Sequence, residues 1–254
     1  MLRRALPSDL VHVSSRAATH PPERLYAYAL GAAVLVGSVL IGLSVLSAHR
    51  STTSAGTNGS VAVAGTAEAA ALLRGIPQDG NRLGSRGAPV ELVEYADLQC
   101  PYCAVYTRDV LPTLVREYVR SGRVSMVFRG LGFLGPDSGT ALRTTAAAGS
   151  QNRFWNVLEL LYRNQGMENA WVTDDVLGAV VTAAGADAGR VFAERDSAEV
   201  AAMIGQWGTL AQADGIDAVP TFYVGPRGGA LERIALTRLT PAEFRKALDK
   251  ALQE

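Results

Sequence analysis

The chain has 254 residues, room for one ordinary domain with additions, and its 24 Lys+Arg balance 24 Asp+Glu. A net charge near zero argues against a nucleic-acid partner, which would favour a basic face. Lys246 and Lys250 are the only lysines, and the three histidines, His12, His20 and His49, all precede residue 50. A buried lysine nucleophile is therefore not expected in the body of the fold. A Cys/His protease or acyltransferase lacks its base, and two cysteines fall short of the roughly four ligands of a structural zinc site. A copper carrier of the two-Cys-plus-His type lacks its third ligand, so no metal is expected.

Residues 1–24 carry Arg3, Arg4, Arg16 and Arg24 and are read as a cytoplasmic segment. Leu25 to Ala48 then runs for 24 residues without a charge, and about 20 apolar residues span a bilayer as a helix. After Arg50 nothing basic follows until Arg74. This bias places the N-terminus in the cytoplasm and the remainder outside, with 25–48 as a signal anchor in the lipid bilayer. The competing reading is a cleaved signal peptide. Against it stand the length of the leader and the poor cleavage site at Val45-x-Ser47. Residues 49–69 are rich in Ser, Thr, Gly and Ala and read as a flexible tether. The globular domain is expected over 70–254.

Within it, a short strand or turn falls around Gly75–Gly84 and a strand over Pro89–Tyr95. A helix is predicted from Pro101 to Val119, with Cys103, Val110, Leu114 and Tyr118 at helical spacing and a kink at Pro112. Val124–Arg129 reads as a second strand. A helical block follows over about 138–214, broken at Gly149, Gly166, Gly185 and Ser197. Thr221–Val224 and Leu231–Leu236 read as strands joined by a glycine-rich turn. Thr240-Pro241-Ala242-Glu243 opens a last helix with an N-cap, Pro at the first helical position and an acid at the third. The order β-α-β, helices, β-β-α predicts an α/β fold with a mixed central sheet and an inserted helical domain.

The only two cysteines form Cys100-Pro101-Tyr102-Cys103. At the start of a helix, free N–H groups and the positive end of the dipole favour a thiolate on Cys100. Pro101 costs nothing at the first helical position. Cys103, one turn further in, lies on the apolar face. The pair then divides into an exposed nucleophile, Cys100, and a sheltered resolving thiol, Cys103. The alternatives are two inert cysteines or a structural disulfide, although so short a loop gains little from being closed.

Val219-Pro220-Thr221-Phe222 stands at the entrance to a strand, long after the cysteines. Together with Ala88-Pro89-Val90, Glu94 to Cys103, Gln151 with Phe154-Trp155, and Gly215-Ile216, it resembles the DsbA-like thiol:disulfide oxidoreductases of the thioredoxin superfamily that carry an N-terminal membrane anchor. The resemblance covers about Gly75 to Gln253. It implies a thioredoxin-like fold and a redox-active Cys100–Cys103 disulfide with no other cofactor. It implies a cis-proline at Pro220 facing that disulfide, with Val219 and Thr221 toward the substrate. It also implies a buried carboxylate at Glu94 that moves protons for the resolving thiol; from the residues alone a surface strand-end Glu is an equal reading. The implied partners are reduced exported proteins and a membrane oxidase, quinone-linked, that restores the disulfide. Strong oxidants of the family often carry His where this chain has Tyr102. No dimerisation domain precedes the catalytic one, which points to a monomer.

Other residues are expected to be structural. Trp155, Tyr162, Trp171 and Trp207 fall in helical patterns and read as core. Asp97 reads as a solvated turn acid, and Arg129 and Arg143 as surface charges.

Overall fold

The computed structural model describes residues 61–166 and 171–254. The expected anchor at 25–48 and the tether up to residue 60 lie outside the described residues. Among the described residues, no helix is long and apolar enough to cross a membrane.

Helix α1 (Thr66–Leu73) begins inside the stretch read as tether, following Gly65 in the left-handed region at φ 76°. Alanine-rich sequence favours helix, and Ala69, Leu72 and Leu73 are buried. Two short strands, β1 (Gln78–Asp79) and β2 (Arg82–Leu83), form a hairpin where a strand or turn was expected.

The centre is β3 (Val90–Ala96) and β4 (Val124–Gly130), paired in parallel over seven residues, with β5 (Thr221–Pro226) antiparallel on the other side of β3. Strand β6 (Glu232–Arg233) edges β5 and is much shorter than the predicted Leu231–Leu236. The sheet order is β1-β2-β4-β3-β5-β6. The central strand β3 is buried almost throughout, as a strand covered on both faces must be.

Side chains alternate across the sheet. Val93, Tyr95 and Val127 pack on one face with Ala211, while Leu92, Ala96, Phe128 and Phe222 enter the main core on the other. Glu94 pairs in register with both Phe128 and Phe222, so its carboxyl points into that main core.

Helix α2 opens at Pro101–Val105 and continues through Tyr106–Val110, Leu111–Leu114 and Val115–Val119. The predicted span is thus helical throughout. Pro112, which lacks an N–H, lies just beyond a π-helical turn in which the Leu111 amide reaches back to the Tyr106 carbonyl.

Between β4 and β5 come α3 (Pro136–Ala148), a 3₁₀ turn (Gly149–Gln151), α4 (Phe154–Arg163), α5 (Asp174–Ala183), α6 (Ala188–Glu194) and α7 (Ala198–Ala213). Ser197 caps α7, its side chain accepting from the Val200 amide. Helix α8 (Pro241–Ala251) closes the chain; Thr240 is its N-cap residue, but its side chain makes no capping bond, and Glu243 instead accepts from Thr237.

Aromatic rings join these layers. Phe128 meets Phe154 and Trp155 from α4, and Tyr106 of α2, Phe222 and Phe244 of α8 form a second group with centroids 4.5–5.2 Å apart. Trp155, Tyr162 and Trp207 are core residues, and Trp171 is half-buried against the core.

Candidate active site

Cys100 is the N-cap residue of α2, with extended backbone (φ −75°, ψ 117°) and Pro101 directly after it. The Cys103 amide donates to Cys100 Sγ at 3.3 Å, so the first orphan donors of the helix face the sulfur. Both cysteines are free thiols here. Cys100 is nevertheless only 2% exposed, which corrects the expectation of an open nucleophile. The chain between the cysteines is what reaches solvent: Tyr102 is 66% exposed.

The two thiols are held in opposite ways. The hydrogen bond with Cys103 lowers the Cys100 pKa from 9.0 to about 7, helped by the Cys103 and Tyr102 amides and opposed by burial. Burial pushes Cys103 well above the ordinary thiol value, and the charges of Cys100 and Glu94 add to that rise. A low-pKa attacking sulfur beside a high-pKa partner is an arrangement for directional thiol–disulfide exchange.

The second loop of the site comes from the far end of the chain. The Val219–Pro220 peptide is cis, and the Cys100 thiol lies 3.6 Å from the Val219 carbonyl. Thr221 is buried, and its hydroxyl donates to the Ala218 carbonyl at 2.8 Å. Val219 therefore stands against Cys100, with cis-Pro220 and Thr221 directly after it, although some 120 residues of chain intervene.

Glu94 is buried in the core face of β3, and its Oε1 has no hydrogen-bond partner. Burial, reinforced by the charges of Cys100 and Glu159, raises its pKa well above the carboxylate range. The surface alternative for Glu94 is therefore not what the fold gives.

Asp97 corrects its reading as a solvated turn acid: it is fully buried. Its Oδ1 accepts from the Gln99 amide (2.8 Å) and the Ser138 hydroxyl (2.6 Å), and its Oδ2 from the Phe133 and Leu134 amides (2.9 and 3.0 Å). Gln99 Oε1 in turn accepts from the Asp137 and Ser138 amides at the start of α3. These bonds hold the loop before Cys100 against the loop after β4. They also leave Phe133 and Leu134 exposed beside the site, with Tyr102.

The inserted helices reach the same loop. The Tyr162 hydroxyl donates to the Asp97 carbonyl at 3.1 Å, and Gln165 Nε2 donates to the carbonyls of Leu98 (2.8 Å) and Cys100 (3.3 Å). Sequence reasoning missed Gln165, Ser138 and the role of Asp97. Glu159 was missed too, although an acid inside the apolar run Val157–Tyr162 was a visible signal.

Arg129 also departs from its reading as a surface charge. It lies across Tyr95, donates to the Tyr95 hydroxyl and sits 3.6 Å from Asp214. Tyr95 donates to Asp214 at 2.6 Å, and burial with that bond pushes its pKa to about 12. The cluster fixes the end of α7 just ahead of the Val219–Pro220 loop. Arg143 remains a partly exposed charge paired with Asp196.

Comparison with known proteins agrees with this construction. Residues 78–250 match the family model described as Thioredoxin. A probable disulfide bond formation protein D of Bacillus cereus is 35% identical over 102 residues, 39% of this chain and 47% of that protein. The chain thus spans about half the length of that relative. Disulfide bond formation protein D of Bacillus subtilis is 29% identical over 149 residues, 57% of this chain and 67% of that protein. Oxidised BdbD from Bacillus subtilis superposes with a TM-score of 0.60 at 24% identity, over 69% of this chain and 94% of that one, and so shares the fold. With the family model covering more than half of its length, the chain belongs to the thioredoxin family.

Proposed function

We propose that this chain is a thiol:disulfide oxidoreductase that introduces disulfides into exported proteins. The observation that carries the reading is the unequal pair: Cys100, held at a helix N-terminus with its pKa lowered to about 7, and Cys103, pushed up by burial. A substrate thiolate attacks Cys100 Sγ of the Cys100–Cys103 disulfide, and Cys103 leaves and takes up a proton. The second substrate thiolate attacks the substrate sulfur of the mixed disulfide and releases Cys100 as thiolate. Two electrons pass to the cysteines, and no other cofactor is required. Where the second substrate thiol is slow, Cys103 resolves the trapped mixed disulfide by returning to Cys100.

The backbone beside cis-Pro220 and the apolar rim of Tyr102, Phe133 and Leu134 suit an extended, unfolded polypeptide rather than a small polar thiol. The uncharged run 25–48 and the arginine bias support a single-pass anchor with the catalytic domain outside the cytoplasm. The names of the Bacillus relatives support a role in disulfide formation. Resemblance supports reoxidation by a quinone-linked membrane partner and action as a monomer.

One observation favours a second reading, a reductase or isomerase kept reduced by a membrane donor. A Cys100 pKa of about 7 lies with thioredoxin, near 7, rather than with the strongest oxidants, near 3.5. Tyr102, where those oxidants often carry a histidine, brings no positive charge. The test is the equilibrium reduction potential of the protein against glutathione. A value near −120 mV makes it an oxidant and one near −270 mV a reductant. A pair that never cycles, with Cys100→Ser leaving the cellular function intact, removes both and leaves a binding or chaperone module.

A further inference from the structure

Among the described residues, three polar atoms of the core side of the sheet and its helices lie buried without a hydrogen-bond partner, Glu94 Oε1, the Tyr106 hydroxyl and Glu159 Oε1, and the charge of Glu94 is felt at Cys103. They come from β3, the π-helical turn of α2, and α4. Buried polar atoms are almost always partnered. Three orphans that sense one another's charge therefore point to one shared polar tract. Glu159 is fully buried on the core side, yet its Oε2 accepts from Arg163 Nε at 2.9 Å. Arg163 in turn lines a surface crevice with Glu68, Arg116 and Arg120. Glu94 acts electrostatically on Cys103 and Glu159 reaches the crevice through Arg163, so the tract runs from Cys103 to the surface at Arg163.

We propose that Glu159 is the outer station of a proton path running from Cys103 through Glu94, past the Tyr106 hydroxyl, to Glu159 and out along Arg163. The inference rests on the dithiol–disulfide exchange proposed above. When the disulfide is reduced, the S–S bond breaks and Cys103 leaves as a thiolate. It takes the proton of neutral Glu94; Glu94 is reprotonated from Glu159, and Glu159 from solvent. Oxidation runs the same transfers backward. The charged and titratable groups facing the tract are Cys100, Cys103, Asp97, Tyr162, Tyr106 and Arg163. Of these, Arg163 favours the ionised form of Glu159, and burial opposes it. The balance leaves the Glu159 pKa at about 7, where a carboxyl both gives and takes protons at neutral pH. Glu159 is a positioning and relay residue; it does not touch the sulfurs.

The test is stopped-flow reduction of the full chain's Cys100–Cys103 disulfide by dithiothreitol across neutral pH. A small thiol reads proton delivery to Cys103 whether or not the protein oxidises other proteins; oxidation of a dithiol peptide by the wild type tests that reading separately. Glu159→Gln keeps the shape and the bond to Arg163 but carries no exchangeable acid proton. It is expected to slow reduction about tenfold at neutral pH, less than the 10²–10⁴-fold of a direct general acid, and to erase the limb of the pH profile near 7. Tyr106→Phe should slow it as well, and Glu159→Gln should add nothing in a Glu94→Gln background. A profile for folded Glu159→Gln that superimposes on wild type overturns the path, as does a loss that multiplies with that of Glu94→Gln. Should Glu159→Gln fail to fold, the infrared difference spectrum of the wild type between its redox states decides. Two carboxyl C=O changes are expected, and a single one overturns the proposal.

Discussion

The Ser138 hydroxyl donates to Asp97 Oδ1 at 2.6 Å, in full burial, and joins the first turn of α3 to the loop that presents Cys100. The same carboxylate gathers the amides of Gln99, Phe133 and Leu134. Replacing Asp97 with Ala strands these donors inside the protein. A buried donor left unmade costs about 1–3 kcal/mol, so Asp97→Ala should lose roughly 3 kcal/mol in urea unfolding. A loss below about 0.5 kcal/mol, the range of an ordinary surface change, would show that the loop does not depend on this residue.

Cys100 reactivity should titrate near neutrality. In the reduced protein, the rate of Cys100 alkylation by iodoacetamide is expected to rise with a midpoint at about 7, below the roughly 8.5 of a free thiol. The stability consequence has a definite sign. The folded pKa lies below the unfolded one, so the thiolate stabilises the reduced fold fully above pH 9 and the gain is lost as pH falls through about 7. The reduced wild type should therefore lose stability relative to Cys100→Ser across that window. An unchanged difference would refute the assignment.

Glu94 should show the reverse. Its folded pKa is raised well above 4.5, so the folded state holds a proton that the unfolded state releases, and this group's contribution weakens the fold as pH rises above 4.5. Glu94→Gln removes that penalty. The variant should be more stable than wild type at neutral pH, with the difference shrinking toward pH 4.5, and slower in disulfide exchange. Thermal melts at several pH values and a turnover assay read both halves. A variant equally fast in exchange would remove Glu94 from proton transfer.

The exposed rim predicts specificity. Phe133 and Leu134 are 55% and 48% exposed on the loop that Asp97 holds, and truncating both to Ser removes apolar area without disturbing the core. KM for an unfolded protein substrate should rise several-fold while reduction by dithiothreitol stays as in wild type, since apolar contact is worth about 25 cal/mol per Å². Equal effects on both substrates would mean that the rim shapes the site rather than binds polypeptide.

Much of this was legible in the residues. The spacing of Cys100 and Cys103, Pro101 after the first of them, and the helical repeat through Tyr118 fixed a helix with one sulfur at its N-terminus. The alternation of apolar stretches fixed the α/β order and the inserted helices, because periodicity and turn residues act locally. Charge neutrality and the absence of histidine beyond His49 argued against whole classes of chemistry.

What local sequence could not decide is which side chains are buried together. Asp97 and Arg129 are read as solvated because isolated charges usually are. Only the return of the chain after β4 gives Asp97 three of its four donors, and only Tyr95 and Asp214 give Arg129 its partners. Glu94 was an even choice between surface and core until its register with Phe128 and Phe222 turned it inward. The sequence by itself determined the chemistry of the two sulfurs. It also foretold that they differ, since the groups that lower Cys100 are its own neighbours Tyr102 and Cys103; the tertiary structure decided that both are buried and that Cys103 is pushed up, because burial is brought by distant segments.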